Sequence, residues 1–98
     1  MYYKSFYHNL KESDIASAVQ KEGFNPIKIS NERNFVYAPH SHPETKLLVF
    51  LQGNMTVKVK DETFECSPGD KLIIAGNVEH SAVVGPKGCV FFWSEKML

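Results

Sequence analysis

The sequence has no excess of either charge: eleven Lys and Arg balance eleven Asp and Glu over 98 residues. A neutral chain has no net field with which to recruit nucleic acid or an anionic membrane. It also lacks any apolar run near the roughly 20 residues a membrane span requires. The opening stretch "MYYKSFYHNLKESD" has no apolar centre of the kind a secretory signal needs, so a cytoplasmic protein is expected. Cysteine is scarce, and Cys66 and Cys89 have no CxxC spacing. Two reduced thiols on strands are expected, with a disulfide or a thiolate ligand as the alternatives. Repeats, low-complexity tracts and linkers are absent. The length fits one compact domain, residues 1–98, and leaves little room for two.

Helical signals are confined to residues 1–25. Asn9 and Glu12 have capping-box spacing; Ile15, Ala18, Val19 and Glu22 lie near one helical face. Gly23 can then end the helix in a left-handed conformation. The apolar stripe is thin, so this helix is expected to lie against something else. From Pro26 the period changes to two. "IKIS", "FVYA", "KLLVFL", "MTVKVK", "TFEC", "KLIIA", "HSAVV" and "CVFFWS" follow one another, punctuated by "NERN", Pro39, Gly53–Asn54, "SPGD", Gly76–Asn77 and "GPKG". Short strands at regular spacing with such turns predict an all-β sandwich or barrel over residues 26–98. In "KLLVFL" Lys46, Leu48 and Phe50 share one face and Leu47, Val49 and Leu51 the other. A strand apolar on both faces is covered on both, which predicts an interior face plus a subunit contact, and so a homodimer.

His40 and His42 precede that strand. Imidazoles two apart on an extended chain point the same way and can both reach one ion at about 2.0–2.1 Å. A third ligand has to come from elsewhere, and His80, opening "HSAVV", is the candidate. His8 belongs to no pattern and reads as a surface residue. The bland alternative is a set of histidines that only hydrogen-bond at strand ends. In "SPGDKL", Pro68, Gly69 and Asp70 read as turn chemistry: a fixed dihedral, a positive φ and a carboxylate bonding nearby amides.

These residues, in this order, resemble the cupin superfamily. Its first motif runs HxH, three or four residues, Glu, six residues, Gly; His40, His42 and Gly53 match it. Its second runs Gly, five residues, Pro, any residue, Gly, two residues, His. Gly69 and His80 match that, with Ala75 where Pro is usual and Asn77 where Gly is usual. Asn tolerates a left-handed turn better than most residues, so the second exchange is mild. The resemblance covers about residues 34–94. It implies an all-β fold, the cupin double-stranded β-helix or jelly-roll barrel, here with a short N-terminal helix and with the histidines inside the mouth. It further implies a divalent transition metal (Fe, Ni, Zn, Mn or Cu) held by His40, His42 and His80.

Lys46 is the departure, for it stands where the family carries its metal-binding Glu. An ammonium has no lone pair to donate. About 5 Å from a divalent ion, at an effective dielectric near 20, it would be repelled by roughly 6–7 kcal/mol. Three outcomes relieve this. Lys46 pairs with Glu44 or another acid, an anionic ligand bridges metal and ammonium, or no tight metal binds. Glu44 itself is a weaker candidate as replacement ligand, because Pro43 disturbs the chain before it.

A cation beside imidazoles in an apolar barrel suits a small acidic ligand. Lys46, Leu48, Phe50, Phe92 and Tyr37 are the expected walls, although the run Phe91–Trp93 alternates faces and part of it packs the core. Three functional classes remain open: a binding module for a small acid; a metal-dependent enzyme, dioxygenase, isomerase or decarboxylase-like, acting on a small carboxylate; and a regulator subunit, since cupin domains are often fused to DNA-binding helices. With no helix-turn-helix and no basic patch, the third would need a partner protein.

Overall fold

A computed structural model describes residues 1–96. Seven strands and one helix follow in the order β1 (Tyr2–Tyr3), α1 (Glu12–Lys21), β2 (Ile27–Asn31), β3 (Val36–His40), β4 (Thr45–Val59), β5 (Glu62–Cys66), β6 (Lys71–Ile74) and β7 (His80–Lys96). All pairings are antiparallel.

Two long strands organise the molecule. "KLLVFL" and "MTVKVK", separate runs in the sequence reading, form the single strand β4; "HSAVV" and "CVFFWS" form the single strand β7. Both bend at the glycines that looked like breaks, and the register of β4 against β7 shifts between Phe50 and Gln52 and again between Gly53 and Met55. Gly53 has φ +73°, and a Cβ there would lie 2.0 Å from the Gly88 carbonyl oxygen. Only glycine lets the two backbones touch at this corner.

The bend divides the pairing into two halves. Before it, β4 lies between β6 and the end of β7, which carries β2 on its far side; beyond it, β4 lies between β5 and the start of β7, which carries β3. One buried cluster joins the halves: Leu48, Phe50, Leu72, Ile74 and Phe91 pack with Met55, Val57, Cys66, Val84 and Cys89. The halves therefore close over a shared interior as a barrel. Pro39, expected to stop its strand, sits inside β3 instead. Among the described residues, strand β3 pairs only with β7 and its register shifts between Tyr37 and His40, an edge position where a missing N–H is tolerated.

The other face of β4 explains α1. Leu47, Val49 and Phe92 pack under Tyr7, Ile15, Val19 and Phe24. The two-sided apolarity of β4, from which a homodimer was expected, is satisfied within one chain and carries no argument for a second copy. The helix begins at Glu12 with Lys11 as N-cap and no side-chain cap, so the expected capping box of Asn9 and Glu12 does not form; Asn9 is in a left-handed conformation, φ +62°. Gly23, at φ +90°, follows the helix as expected.

Two buried charged residues at the β6 turn hold the N-terminal segment down. The Asp70 carboxylate accepts from the Tyr2 hydroxyl (2.5 Å), the Ser5 amide (2.7 Å) and the Ser67 amide (2.8 Å). The Lys71 ammonium pairs with Glu22 at 2.8 Å and lies 4.3 Å from the Phe6 ring centroid. No helix among the described residues is long and apolar enough to cross a membrane.

Candidate functional site

Antiparallel pairing brings the first two histidines of the site together: His40 at the end of β3 is the register partner of His80 at the start of β7. His42 lies two residues further along, in the loop before β4. That loop is fixed by the turn after β6. The Asn77 amide donates to the His42 carbonyl at 2.7 Å, and Gly76 lies so close to Pro43 that a Cβ would meet its carbonyl oxygen at 2.2 Å. Asn77 has φ +64°, the left-handed turn its side chain tolerates. Residues far apart in sequence thus converge: the ring centroids are 4.4 Å apart for His40–His80, 4.7 Å for His42–His80 and 5.4 Å for His40–His42.

One ligand nitrogen from each ring lies within 4.8 Å of the other two. Each Nδ1 faces a backbone carbonyl oxygen, of Ala38 for His40 (2.6 Å), Glu44 for His42 (3.3 Å) and Val78 for His80 (2.9 Å). A carbonyl only accepts, so in the neutral rings Nδ1 carries the proton and Nε2 keeps its lone pair. This is the arrangement that orients metal-binding imidazoles. Burial, opposed by the Val78 hydrogen bond and reinforced by the nearby His40, His42 and Lys46, holds His80 below the ordinary imidazole range. The Nε2 of His42 is buried and has no hydrogen-bond partner. An orphaned lone pair costs free energy unless something fills its place, and a cation shared among the three rings would do so.

The cavity beneath the histidines is small, with about 40 Å³ of water-accessible space, and its lining beside the three imidazoles includes Tyr37, Lys46, Leu48, Met55, Ser81 and Trp93. Of the expected walls, Tyr37, Lys46 and Leu48 are present. Phe50 is fully buried among the core residues and does not reach the cavity. Phe92 faces the other way, into the cluster under α1. The reason is strand parity: Leu48 pairs with Trp93, so Trp93 points inward and its neighbour outward. Trp93, Met55, Val57 and Ile74 were missed; the alternation of "MTVKVK" and "CVFFWS" contained the signal, but not which face was the inner one.

Lys46 is 5% exposed. Its ammonium pairs with the carboxylate of Glu95, its register partner on β7, and lies 4.4 Å from the Trp93 ring centroid. Among the acids considered for it, Glu44 is not the partner. Glu44 also stands outside the three-histidine group, and its Oε2 is buried without a hydrogen-bond partner.

Comparison with known proteins follows this geometry. The sequence signature of the AraC-like ligand binding domain matches residues 28–95. The chain belongs to this family. The AraC-like domain thus runs from β2 to the end of β7, and α1 and β1 lie before it. No curated protein matches the chain. Among solved structures, KdgF from Halomonas sp. is similar with a TM-score of 0.65 and 24% identity, over 74% of this chain and 68% of that one. An RmlC-like cupin from Shewanella frigidimarina has a TM-score of 0.67 and 21% identity, over 74% of this chain and 64% of the other. Oxalate decarboxylase of Bacillus subtilis, described with Mn(II) centres, has a TM-score of 0.68 and 16% identity, over 76% of this chain and 21% of its own length. At these identities the likeness is one of fold, and the fold is the cupin jelly-roll barrel.

Proposed function

We propose that this AraC-like domain is a binding module for a small acidic ligand, with a divalent transition metal held by His40, His42 and His80. The observation that carries the reading is the arrangement of the three imidazoles: their Nδ1 atoms are turned to carbonyls, one nitrogen from each ring lies within 4.8 Å of the other two, and the Nε2 of His42 is buried and unpartnered. A metal bound there would supply Lewis acidity to a ligand oxygen. The chain's own residues supply the rest. The Ala38, Glu44 and Val78 carbonyls fix the rings, the Gly76–Asn77 turn fixes the loop, and the apolar walls exclude water. Lys46 provides the positive charge that favours an acid over a neutral ligand. Three nitrogens leave coordination positions open, which favours, as a second reading, a metal-dependent enzyme of dioxygenase, isomerase or decarboxylase type on a small carboxylate.

Elemental analysis of the purified wild type beside His42→Ala, each after equilibration with one metal at a time, tests the metal reading. Wild type is expected to retain a first-row metal that the variant loses; equal metal in both removes the site. Oxygen consumption and product analysis of iron-loaded protein over a panel of small carboxylates then separate the two readings. Ligand-dependent thermal stabilisation without turnover supports the binding module.

A further inference from the structure

Among the described residues, the one Lys or Arg lining the cavity, Lys46, is held by an acid at the rim. Lys46 and Glu95 face each other across the β4–β7 ladder, and Leu48 and Trp93 form the next inward row. The Lys46 side chain is 6% exposed and that of Glu95 is 45% exposed. The pair is therefore asymmetric: its cation is committed to the cavity, whereas its anion stands half in water and can return there at little cost. Of the other polar groups lining the cavity, Tyr37 donates its hydroxyl to Asn31 at 2.5 Å, each imidazole turns its Nδ1 to a backbone carbonyl, and Ser81 carries a neutral hydroxyl. An anion entering the barrel has one charged donor to meet, and that donor already holds a carboxylate. The aromatic face 4.4 Å from the ammonium keeps it in place whichever carboxylate it binds.

We infer that Lys46 is the docking group for the ligand's carboxylate, and that the incoming carboxylate binds by displacing Glu95 from the ammonium. This rests on the reading of the barrel interior as a ligand site and adds the chemical class and the exchange. The ligand is small. About 40 Å³ of water-accessible space, at roughly 10–15 Å³ for each water, has room for about three to four water-sized groups, which favours the smallest carboxylic acids. Glu95 acts as a built-in competitor, which lowers the affinity for weakly charged ligands and leaves the site neutral when empty.

The chain has a single tryptophan, and it is the one beside Lys46. Its emission therefore reports the exchange. Metal-free protein, stripped with a chelator, is titrated with glycolate and, separately, with the uncharged isostere glycolamide. Glycolate is expected to give a saturable change in Trp93 emission and glycolamide none. Lys46→Met is expected to abolish the change, and Lys46→Arg to keep it, with circular dichroism showing both folded. Glu95→Gln is expected to bind glycolate about two- to fivefold more tightly, the size of a half-exposed ion pair removed as competitor. An equal response to glycolamide, a response surviving in folded Lys46→Met, or weaker glycolate binding by Glu95→Gln overturns the inference. Because the titration contains no metal, its failure is distinguishable from failure of the metal reading, which elemental analysis decides.

Discussion

The Asn77 amide donates to the His42 carbonyl at 2.7 Å, and this bond ties the turn leading to one histidine strand to the loop that carries another of the three histidines. The three-histidine cluster depends on it, because His40 and His80 are placed by the β3–β7 ladder whereas His42 lies outside any strand.

Asn77→Gly is expected to leave stability nearly unchanged, since φ +64° suits glycine. Asn77→Val keeps the same amide but forces a branched side chain into the left-handed region, at about 1–2 kcal/mol. Thermal unfolding of the two variants should differ by several degrees, because about 1 kcal/mol moves the Tm of a domain this size by roughly 4–8 °C. Equal Tm values would mean that the turn relaxes freely.

Gly76→Ala is expected to damage the site more than the barrel. The added Cβ meets the Pro43 carbonyl oxygen at 2.2 Å, so the His42 loop has to move. A stability loss of about 1–3 kcal/mol is expected, with weaker zinc binding measured by competition against a chromophoric chelator. Unchanged zinc affinity would show that His42 is positioned from elsewhere.

Lys46→Glu would restore a carboxylate where the cupin resemblance expects one, but it also sets that carboxylate against Glu95 across the ladder. Like charges directly opposite are destabilising. The single variant is therefore expected to be less stable without metal and to regain stability on adding Zn²⁺. The double variant Lys46→Glu/Glu95→Gln removes the clash as well as the ammonium, and should bind zinc on the order of tenfold more tightly than wild type. Calorimetric titration of the three proteins checks the order.

Cys66 and Cys89 are free and buried. Burial, chiefly, pushes the Cys66 thiol up to about 12 and the Cys89 thiol up to about 11, from an ordinary value of 9.0. Burial also raises the Tyr2 and Tyr7 hydroxyls, with Asp70 and Glu22 beside them. All these groups hold their protons more tightly folded than unfolded. The contribution of the two thiols to stability is full below pH 9 and is lost as pH rises through their folded values, between about 9 and 12, and the tyrosines add to the loss at the alkaline end. Urea unfolding followed from pH 7 to 11 should give a flat stability and then a decline above about pH 9. At pH 8 the native thiols should not react with a disulfide reagent that titrates both in urea.

Much of the barrel was legible in the chain itself. The change from helical to two-residue periodicity at Pro26, the turn chemistry of Asp70 and the left-handed Asn77 are local properties, and local sterics and hydrogen bonding are written in adjacent residues. The spacing of His40, His42 and His80 was legible too, and it named the residues that the fold brings within reach of one another. Other features were decided only by long-range packing. Alternation along "CVFFWS" says that Phe92 and Trp93 face opposite ways, but register with Leu48 chose Trp93 for the cavity. The two apolar faces of β4 require two covers, and it took the docking of α1 to show that the second comes from the same chain. For Lys46 the sequence offered the nearby Glu44 or another acid as partner, and Glu95, 49 residues away, took that place because antiparallel pairing sets the two side by side. A sequence determines periods and turns because these depend on neighbours. Which face is inner, and which charges meet, depends on the register between distant strands, and that is settled only when the barrel closes.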